Sequence, residues 1–328
     1  MKFTNSKIGA INPEPKILLA PLAGFTDSAY RRIVKSFAAG IVYTEMISSM
    51  GIFYGDKKTL DMLNFSEEER PIAAQIFGNV PDKLAYAAAF LEERGFDMID
   101  INMGCPTPKI VKSGSGAALL KDLSLVKAIV KSVRKAIRIP LTVKIRKGFY
   151  KGQNVANEVG KIAEGEGADA ICLHGIFAEE FFKPECEDWD SIRSLKENVN
   201  IPVIGNGGIK SEEDVLKMFE ETGADYVMVG RATLGAPHFI KSADTYIKTG
   251  KKFTLSLKEK LYIILRHIEL EVDDKGEERG IKEMRKIVAH YIKGMKGASH
   301  YRAELNGIST KSDMEKMLFE VFGKYEEA

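Results

Sequence analysis

IPVIGNGGIKSEEDVLKMFEETGADYVMVGR, residues 201–231, contains two short apolar runs separated by one helical pattern. Ser211 is a suitable N-cap for that helix, and Glu213 and Asp214 follow in its first turn. Apolar runs of this kind on both sides of a helix are typical of parallel strands that are buried on both faces. This stretch therefore predicts a strand–helix–strand unit with glycine turns after both strands.

The same unit recurs along the chain. Eight such units in about 240 residues match the size of a (β/α)8 barrel. An open doubly wound sheet is the competing fold, but it favours G-x-G-x-x-G after its first strand, where this chain has APLAGFTD. The predicted strands are KILLAPL, GIVYTEM, PIAAQIFG, DMIDINMG, PLTVKIR, ADAICLHG, IPVIGNG and ADYVMVGR, and the predicted helices are Thr26–Phe37, Pro81–Arg94, Asp122–Ile137, Gln153–Glu166, Trp189–Asn198 and Ser211–Glu221.

The final 80 or so residues have no strand pattern and instead contain amphipathic helical stretches such as LKEKLYIILRHIELEV and IKEMRKIVAHYIKGM. We therefore predict an α/β fold with two parts. Residues 1–245 form the (β/α)8 TIM barrel, and residues 246–328 form a small C-terminal all-helical domain.

Composition excludes several classes of protein. The net charge is +2, so there is no global basic bias of the kind found in many nucleic-acid-binding proteins. Three scattered cysteines do not form a disulfide framework, and no apolar stretch has the length of a signal core or a membrane span. These features predict a cytoplasmic protein without a membrane partner, and we expect a monomer.

Polar residues gather where the predicted strands end, and in a barrel those ends meet at the face that carries the chemistry. No strand end has the Asp, Glu and His set of a metal site, so we predict no metal. The residues at the strand ends are Pro21, Leu22, Ala23, Gln75, Asn102, Cys105, Lys144, Arg146, His174, Asn206, Gly207, Gly208, Gly230 and Arg231.

The last two strands predict a phosphate-binding site. Gly207, Gly208 and Gly230 allow backbone N–H groups to approach an anion closely, and Arg231 can add two hydrogen bonds. Lys144 lies among apolar residues and needs a partner, which a flavin ring could supply. Gln75 could bind the pyrimidine edge of that ring, and His174 could bind the ring, the phosphate or the substrate.

The motifs APLAGFTDSAYR, YTEM, QIFG, DINMGCP, GSGAALL, VKIR, IPVIGNGGI and GADYVMVGRATLGAPHFI occur in an order that resembles the tRNA-dihydrouridine synthases, and in particular their bacterial B-type branch. The resemblance runs from Ile17 to about Ile240, and the C-terminal MRK, HYIKGMKGASHYR region is similar to the helical RNA-binding domain of that family.

The resemblance implies FMN-dependent reduction of specific tRNA uridines to 5,6-dihydrouridine, with NADPH as electron donor. It makes Cys105 the donor of the proton to C5 of the uracil, and it assigns the flavin contacts to Pro21, Leu22, Ala23, Gln75, Lys144, His174, Asn206, Gly207, Gly208, Gly230 and Arg231. A thiol suits the role of proton donor because it ordinarily keeps its proton at neutral pH. Cys172 is interpreted as a core residue.

RNA contacts are predicted in two places. The segment from Lys282 to Arg302 carries six basic residues against one acid, with Tyr291, His300 and Tyr301 among them, and it includes Arg285 and Lys286. Around the predicted strand ends, Asn102, Lys109 and Arg146 are the predicted substrate-binding residues. The lysines and arginines of 123–138 are interpreted as a solvated outer helix face.

One departure leaves the RNA target open. Family members commonly have His-Gly-Arg-Thr-Arg at strand six, whereas this chain reads HGIFAEEFF, so Ile176 and Ala178 replace both arginines. Ribosomal RNA, or a free pyrimidine as in dihydroorotate dehydrogenases, remains an alternative substrate. A non-catalytic RNA-binding barrel is a third possibility, which the intact Cys105 and Lys144 disfavour.

Overall fold

The computed structural model describes residues 6–326. Eight parallel strands form the predicted barrel, in the order β1, β9, β8, β7, β6, β5, β4, β2, and a two-residue strand β3 pairs with the end of β4. The strands are β1 (Ile17–Leu19), β2 (Val42–Tyr43), β3 (Ile47–Ser48), β4 (Ile72–Phe77), β5 (Met98–Met103), β6 (Leu141–Gly148), β7 (Ala170–Phe177), β8 (Val203–Asn206) and β9 (Tyr226–Val229).

Hydrogen bonds between the first two strands close the sheet. The amide of Leu19 donates to the carbonyl of Ile41 over 3.0 Å, and the amide of Gly40 donates to the carbonyl of Ile17 over 3.0 Å. A closed sheet has no unpaired edge, and the carboxyl ends of all its strands surround one opening. The prediction of a (β/α)8 barrel is confirmed.

Helices cover the outside of the barrel and continue beyond it. The N-terminal helices are α1 (Ser28–Lys35), α2 (Ser49–Phe53), α3 (Lys57–Asp61), α4 (Pro81–Glu93), α5 (Pro108–Lys112) and α6 (Leu123–Ala136). Those that follow are α7 (Ala156–Gly165), α8 (Asp190–Asn198), α9 (Glu212–Thr222), α10 (Phe239–Thr249), α11 (Leu257–Lys275), α12 (Glu277–Tyr291), α13 (Ala298–Glu304) and α14 (Lys311–Glu326).

The predicted capping of α9 is present. Ser211 Oγ accepts from the amide of Asp214, and the Asp214 carboxylate accepts from the amide of Ser211 over 2.8 Å. This reciprocal pairing satisfies two backbone donors at the helix start. It fixes the direction in which the chain leaves the glycine turn after β8.

Three large hydrophobic cores organise the described part of the chain. One fills the interior of the barrel, one lies between the barrel sheet and the surrounding helices, and the third is built by α11–α14 around Met284, Val288 and Leu318. Helix α10 runs to Thr249 and therefore extends four residues beyond the predicted boundary at 245/246. The two parts meet where Leu270 of α11 packs on Ala29 and Ile33 of α1.

A charged cluster lies at the same junction. Lys275 Nζ donates to Asp27 Oδ2 over 2.5 Å, to Glu271 Oε1 over 2.7 Å and to Glu283 Oε2 over 2.8 Å. These are the three carboxylates, within residues 6–326, whose oxygens lie close enough together to hold a metal ion. The ammonium of Lys275 already provides the positive charge at their centre, so the cluster is an ion-pair network.

Candidate active site

A cavity of about 510 Å³ opens at the carboxyl ends of the barrel strands. That volume lies within the range of small-molecule and cofactor sites. The cavity is lined by these predicted site residues: Pro21, Leu22, Ala23, Gln75, Asn102, Cys105, Lys144, Arg146, His174, Asn206, Gly207, Gly208, Gly230 and Arg231.

The loop after β5 holds Cys105 at the cavity wall. Asn102 Oδ1 accepts from the amides of Gly104 and Cys105, over 3.2 and 2.9 Å, which turns the chain sharply at the end of the strand. The half-buried Cys105 has Sγ 3.1 Å from Thr107 Oγ1. The thiol is therefore accessible from the cavity and held by a short local turn.

A buried amide and carboxyl network lies beneath that loop. Gln75 Nε2 donates to Asp100 Oδ2 over 2.7 Å, and Gln75 Oε1 accepts from Asn102 Nδ2 over 2.9 Å. Thr142 Oγ1 donates to the other oxygen of Asp100 over 2.5 Å. Burial raises the pKa of Asp100, while the hydrogen bonds from Gln75 and Thr142 oppose the shift. The network orients both Gln75 and Asn102 toward the cavity.

Lys144 has the partner that its inward position requires. Its Nζ donates to Asn206 Oδ1 over 2.6 Å, and Asn206 Nδ2 donates in turn to the carbonyl of Met228 over 2.8 Å. Strand β6 is thereby joined across β7 to β8 and β9 at the level of the cavity floor. The ammonium keeps two further N–H groups for a ligand.

The turn after β8 requires glycine. Gly207 has φ +103° and Gly208 has φ +74°, both in the left-handed region. A Cβ on Gly208 would lie 2.9 Å from Trp189 Nε1, and that indole nitrogen donates to the carbonyl of Gly207 over 3.2 Å. Gly230 and the exposed Arg231 lie beside this turn on the next strand, so the predicted phosphate-binding elements lie together.

Two basic side chains from β6 and β7 complete the inner wall. Burial lowers the pKa of Arg146 to about 10, and its guanidinium donates to the carbonyl of Phe177 over 2.9 Å. Burial also lowers the pKa of His174 to about 4, while its hydrogen bond to Glu187 opposes the shift. His174 is therefore neutral at neutral pH in this structure.

The segment that departs from the family motif forms part of the cavity mouth. Ile176 and Ala178, which replace the two arginines, are buried against the barrel. Glu180 accepts from the amide of Phe177 over 3.1 Å, so its charge supports the local turn. Phe182 is 53% exposed, lines the cavity, and has its ring 5.1 Å from the guanidinium carbon of Arg146.

The helical domain reaches the opposite side of the mouth. His290 of α12 lines the cavity, and its ring lies 5.6 Å from the ring of Phe25 in an edge-to-face arrangement. Gly235 has φ +74°, and a Cβ there would collide with the carbonyl oxygen of His290. The exposed Lys286 has its Nζ 5.0 Å from the centre of the Phe25 ring, just outside the cavity.

Three predicted substrate residues do not line the cavity. Lys109 is exposed on α5, and Lys286 lies at the rim as described. Arg285 uses its Nε to donate to the carbonyl of Ile308 over 2.8 Å, which ties α12 to the segment before α14. The buried Cys172, with Sγ 3.7 Å from Met228 Sδ, has the core position that its sequence context predicted.

Several residues at the cavity were not among the predicted site residues. Phe25, Met46, Phe182, Leu234 and His290 line the cavity, and Asp100 and Glu187 lie directly behind it. Most of them come from loops or from a helix distant in sequence, where spacing from a strand end is uninformative. Phe25, Met46, Asp100 and Leu234 lie in motifs quoted above, but the sequence assigned them no role.

Comparisons with known proteins agree on one family. The model of the dihydrouridine synthase family matches residues 18–324. A probable tRNA-dihydrouridine synthase of Rickettsia conorii is 37% identical over 302 residues, which cover 92% of this chain and 91% of the relative. The tRNA-dihydrouridine synthase B of Pseudomonas aeruginosa is 36% identical over 302 residues, covering 92% and 90% of the two chains.

Solved structures with a similar fold are more distant. A histamine dehydrogenase from Rhizobium sp. 4-9 superposes with a TM-score of 0.59 at 14% identity, over 82% of this chain and 50% of that one. An amine oxidase from Pseudomonas geniculata N1 gives 0.58 at 12% identity, over 80% and 52%. At this identity the likeness establishes the barrel fold alone.

Proposed function

The chain belongs to the dihydrouridine synthase family and is an oxidoreductase, and from this premise we propose that it reduces specific uridines of tRNA to 5,6-dihydrouridine with FMN and NADPH. One observation carries the proposal. A single cavity is lined both by the Cys105 thiol and by the Gly207–Gly208 turn, so an acid and an anion-binding turn face the same space.

The residues of the cavity suit a flavin nucleotide. Lys144 has spare N–H donors for the ring, and Gln75 lies on the cavity wall nearby. The glycine turns with Arg231 provide donors for a phosphate, and Pro21 to Ala23 form an apolar side. When bound, the flavin supplies a hydride to C6 of the uracil.

Cys105 then provides the proton at C5. Reduction of the C5=C6 bond adds one hydride and one proton, so an acid must remain protonated beside C5 until transfer. Asn102 fixes the backbone of Cys105, and Thr107 gives its thiol a hydrogen-bond partner. The thiolate that remains takes a proton from solvent before the next cycle.

The substrate must present an unstacked base, because a cavity of about 510 Å³ is too small to admit a duplex. The cavity mouth is aromatic and basic. Phe182, which packs on Arg146 of the inner wall, lies on one side, and Phe25, His290 and Lys286 lie on the other. Such a surface is suited to RNA, and a free pyrimidine would not require it. The names of the relatives favour tRNA over ribosomal RNA.

The setting of the enzyme follows from its substrate. We propose a cytoplasmic location, where tRNA is modified, and a monomer without metal remains our prediction. Within residues 6–326, no helix combines the length and apolar character that crossing a bilayer requires.

The test is a cofactor and product assay on the full chain. Denatured protein should release about one flavin per chain that co-elutes with FMN, and the holoenzyme with NADPH should form dihydrouridine in an unmodified tRNA transcript. Recovery of FAD, or of protein that FMN cannot reconstitute, would contradict the cofactor. Reduction of free uridine at the rate measured for tRNA would favour the small-molecule alternative.

A further inference from the structure

The turn after β6, residues 149–151, presents two aromatic rings outside the cavity, and we call it the β6 turn. Arg146 lines the cavity, and the strand continues two residues further to Gly148 before the chain turns. Because a strand advances about 3.3 Å per residue, the turn lies beyond the cavity wall. Tyr150 is 41% exposed there, whereas Phe149 packs partly against the core between the sheet and the helices.

The β6 turn has a defined shape in the absence of a ligand. The amide of Gln153 donates to the carbonyl of Tyr150 over 3.1 Å, which closes the turn. A Cβ on Gly148 would collide with the carbonyl oxygen of Gln153, so the close return of the chain depends on glycine. The rings of Phe149 and Tyr150 pack edge to face with their centres 4.9 Å apart. Tyr150 is therefore held in place before anything binds to it.

One lysine places a positive charge beside both rings. Lys121 Nζ lies 3.6 Å from the centre of the Phe149 ring and 5.0 Å from the centre of the Tyr150 ring. Lys121 is exposed, and within residues 6–326 no carboxylate pairs with its ammonium. An ammonium beside an aromatic face keeps N–H groups for an anion. The turn and Lys121 thus offer an exposed ring and an uncommitted cation side by side.

Backbone contacts tie the β6 turn to the segment that carries Phe182 at the cavity mouth. The amide of Glu179 donates to the carbonyl of Phe149 over 3.3 Å, and Glu179 Oε2 accepts from the amide of Lys151 over 3.0 Å. The Glu179 carboxylate is therefore engaged with the backbone of the turn. Phe182 and the β6 turn are two aromatic surfaces on connected loops, each with a cation beside it.

The surface around the β6 turn suits a nucleotide better than a protein. A stable protein interface covers about 800 Å² of each partner, and its centre is depleted of charged residues. Here one exposed ring lies between the exposed Lys121 and Lys151. Single-stranded nucleic acid needs no larger surface, because a base can stack on one ring while a cation meets the adjacent phosphate.

We propose that the β6 turn and Lys121 form an RNA-stacking site outside the cavity, where Tyr150 stacks on the base of a nucleotide flanking the target uridine and Lys121 binds a phosphate beside it. The inference rests on the proposed function, because it requires a uridine extruded into the cavity. Extrusion leaves the neighbours of that uridine without a stacking partner on one side. The Tyr150 ring supplies such a partner where the strand leaves the mouth.

Loss of the ring should weaken tRNA binding and leave flavin reduction intact. We would measure the Kd of an unmodified transcript for the full-length holoenzyme. Tyr150→Ala should raise the Kd about tenfold, and Tyr150→Phe should stay within about twofold of wild type, since stacking needs no hydroxyl. Tyr86→Ala is the matched control, because Tyr86 is 48% exposed on the outer helix α4. NADPH should reduce the flavin of every variant at the wild-type rate, since neither tyrosine lines the cavity.

The salt dependence of binding tests the phosphate contact. Lys121→Gln should raise the Kd about three- to fivefold and lower the slope of log Kd against log salt concentration by about 0.7, the value for one phosphate of a single strand. Tyr150→Ala should keep the wild-type slope, because stacking releases no counterion. Lys131→Gln removes a charge from an exposed position on the outer face of α6 and should change neither the Kd nor the slope.

Abasic nucleotides identify the stacked base. Once the reduced uridine has been mapped, one base at a time is removed from the nucleotides on either side of it. Removal of the contacted base should weaken binding to wild type about tenfold but to Tyr150→Ala less than about twofold, because the ring that it contacts is already absent.

Three results would overturn the proposal: equal tRNA affinity of Tyr150→Ala and Tyr86→Ala, full additivity of every abasic substitution with Tyr150→Ala, or a wild-type salt slope in Lys121→Gln. If Tyr150→Ala does not fold, the salt slope of Lys121→Gln decides, because that change is confined to an exposed side chain. Failure of wild type to reduce tRNA would contradict the proposed function itself, and this is measured before any variant is compared.

Discussion

The deep interior of the barrel and its rim are built on the same strands, but the interior is apolar and closed to solvent, whereas the rim carries polar groups that face the cavity. Cys172 on β7 lies among Ile204, Tyr226 and Met228, and burial raises the pKa of its thiol to about 12. Cys105 lies at the rim, half-buried, with its thiol facing the cavity. We infer from this comparison that the position of a cysteine relative to the cavity, and not the residue type alone, decides whether its thiol can meet a substrate.

Replacement of each cysteine by alanine should give the largest contrast. Cys105→Ala should keep normal flavin reduction by NADPH and slow flavin reoxidation by unmodified tRNA by roughly 10²–10⁴-fold, since a general acid is lost. Cys172→Ala should leave both half-reactions near wild type and lower the free energy of unfolding by about 1 kcal/mol.

Stopped-flow mixing of pre-reduced enzyme with tRNA measures the first effect, and urea unfolding measures the second. If Cys105→Ala reoxidises its flavin at the wild-type rate, Cys105 is a packing residue like Cys172. Cys105→Ser is a useful third variant, because it keeps the size of the side chain and replaces the thiol by a much weaker acid.

Gly205 in β8 and Gly207 in the turn after it test the same difference between interior and rim, with smaller expected effects. Gly207→Ala should lower the free energy of unfolding by about 2–4 kcal/mol and weaken FMN binding, because φ is +103° and the new methyl would collide with Glu187. Gly205→Ala, two residues deeper, should cost about 1 kcal/mol and leave FMN affinity unchanged, because its methyl meets the flexible side chain of Met218.

Thermal unfolding and FMN titration of both variants provide the measurement. The division between rim and interior fails if Gly205→Ala loses FMN as strongly as Gly207→Ala does. If the two variants have similar stability and differ only in FMN affinity, the rim position matters for cofactor binding alone.

The smallest change in stability is expected at Asp100, which lies between the barrel interior and the rim. Burial raises the pKa of Asp100 in the folded state above that in the unfolded chain. The folded state therefore holds its proton to higher pH, and the free energy of unfolding falls as the pH rises above the ordinary carboxyl range. Asp100→Asn keeps the shape and should therefore raise the free energy of unfolding by roughly 0.5–1 kcal/mol at pH 7, with no gain at pH 3.

Urea unfolding at the two pH values checks the sign, with the exposed Asp190→Asn as control. A loss of stability at pH 7 in Asp100→Asn would mean that the carboxylate charge stabilises the Gln75 and Asn102 network. Asp100 would then belong with the polar groups of the rim and not with the barrel interior.

The strands could be predicted because buried parallel strands are nearly continuous apolar runs, yet most of the predicted strands were too long, while β6 continues two residues beyond PLTVKIR to Gly148. ADYVMVGR was predicted as one strand, whereas β9 covers only Tyr226–Val229. The strand ends at Val229 because Gly230 begins the turn at the rim. Strand β3 has two residues and follows directly on the loop after β2, so it has no periodicity to detect.

The candidate site was predictable to the extent that it lies at strand ends. Lys144 and His174 follow that rule, since barrel geometry converts position along a strand into a place at the opening. Glu187 and His290 do not, because the first lies in an irregular loop and the second on a helix of the other domain. Their approach to the cavity depends on tertiary packing, which local sequence patterns do not encode.

The contact between Gly235 and the carbonyl of His290 has a consequence for protein engineering. A helical domain transplanted from a relative would have to bring a backbone that fits against residue 235 and an aromatic or imidazole ring that fits against Phe25. Exchange of the domain at a linker alone would leave a cavity with a mismatched wall. Chimeras that exchange the C-terminal helices should therefore carry the segment 234–236 and Phe25 together with those helices.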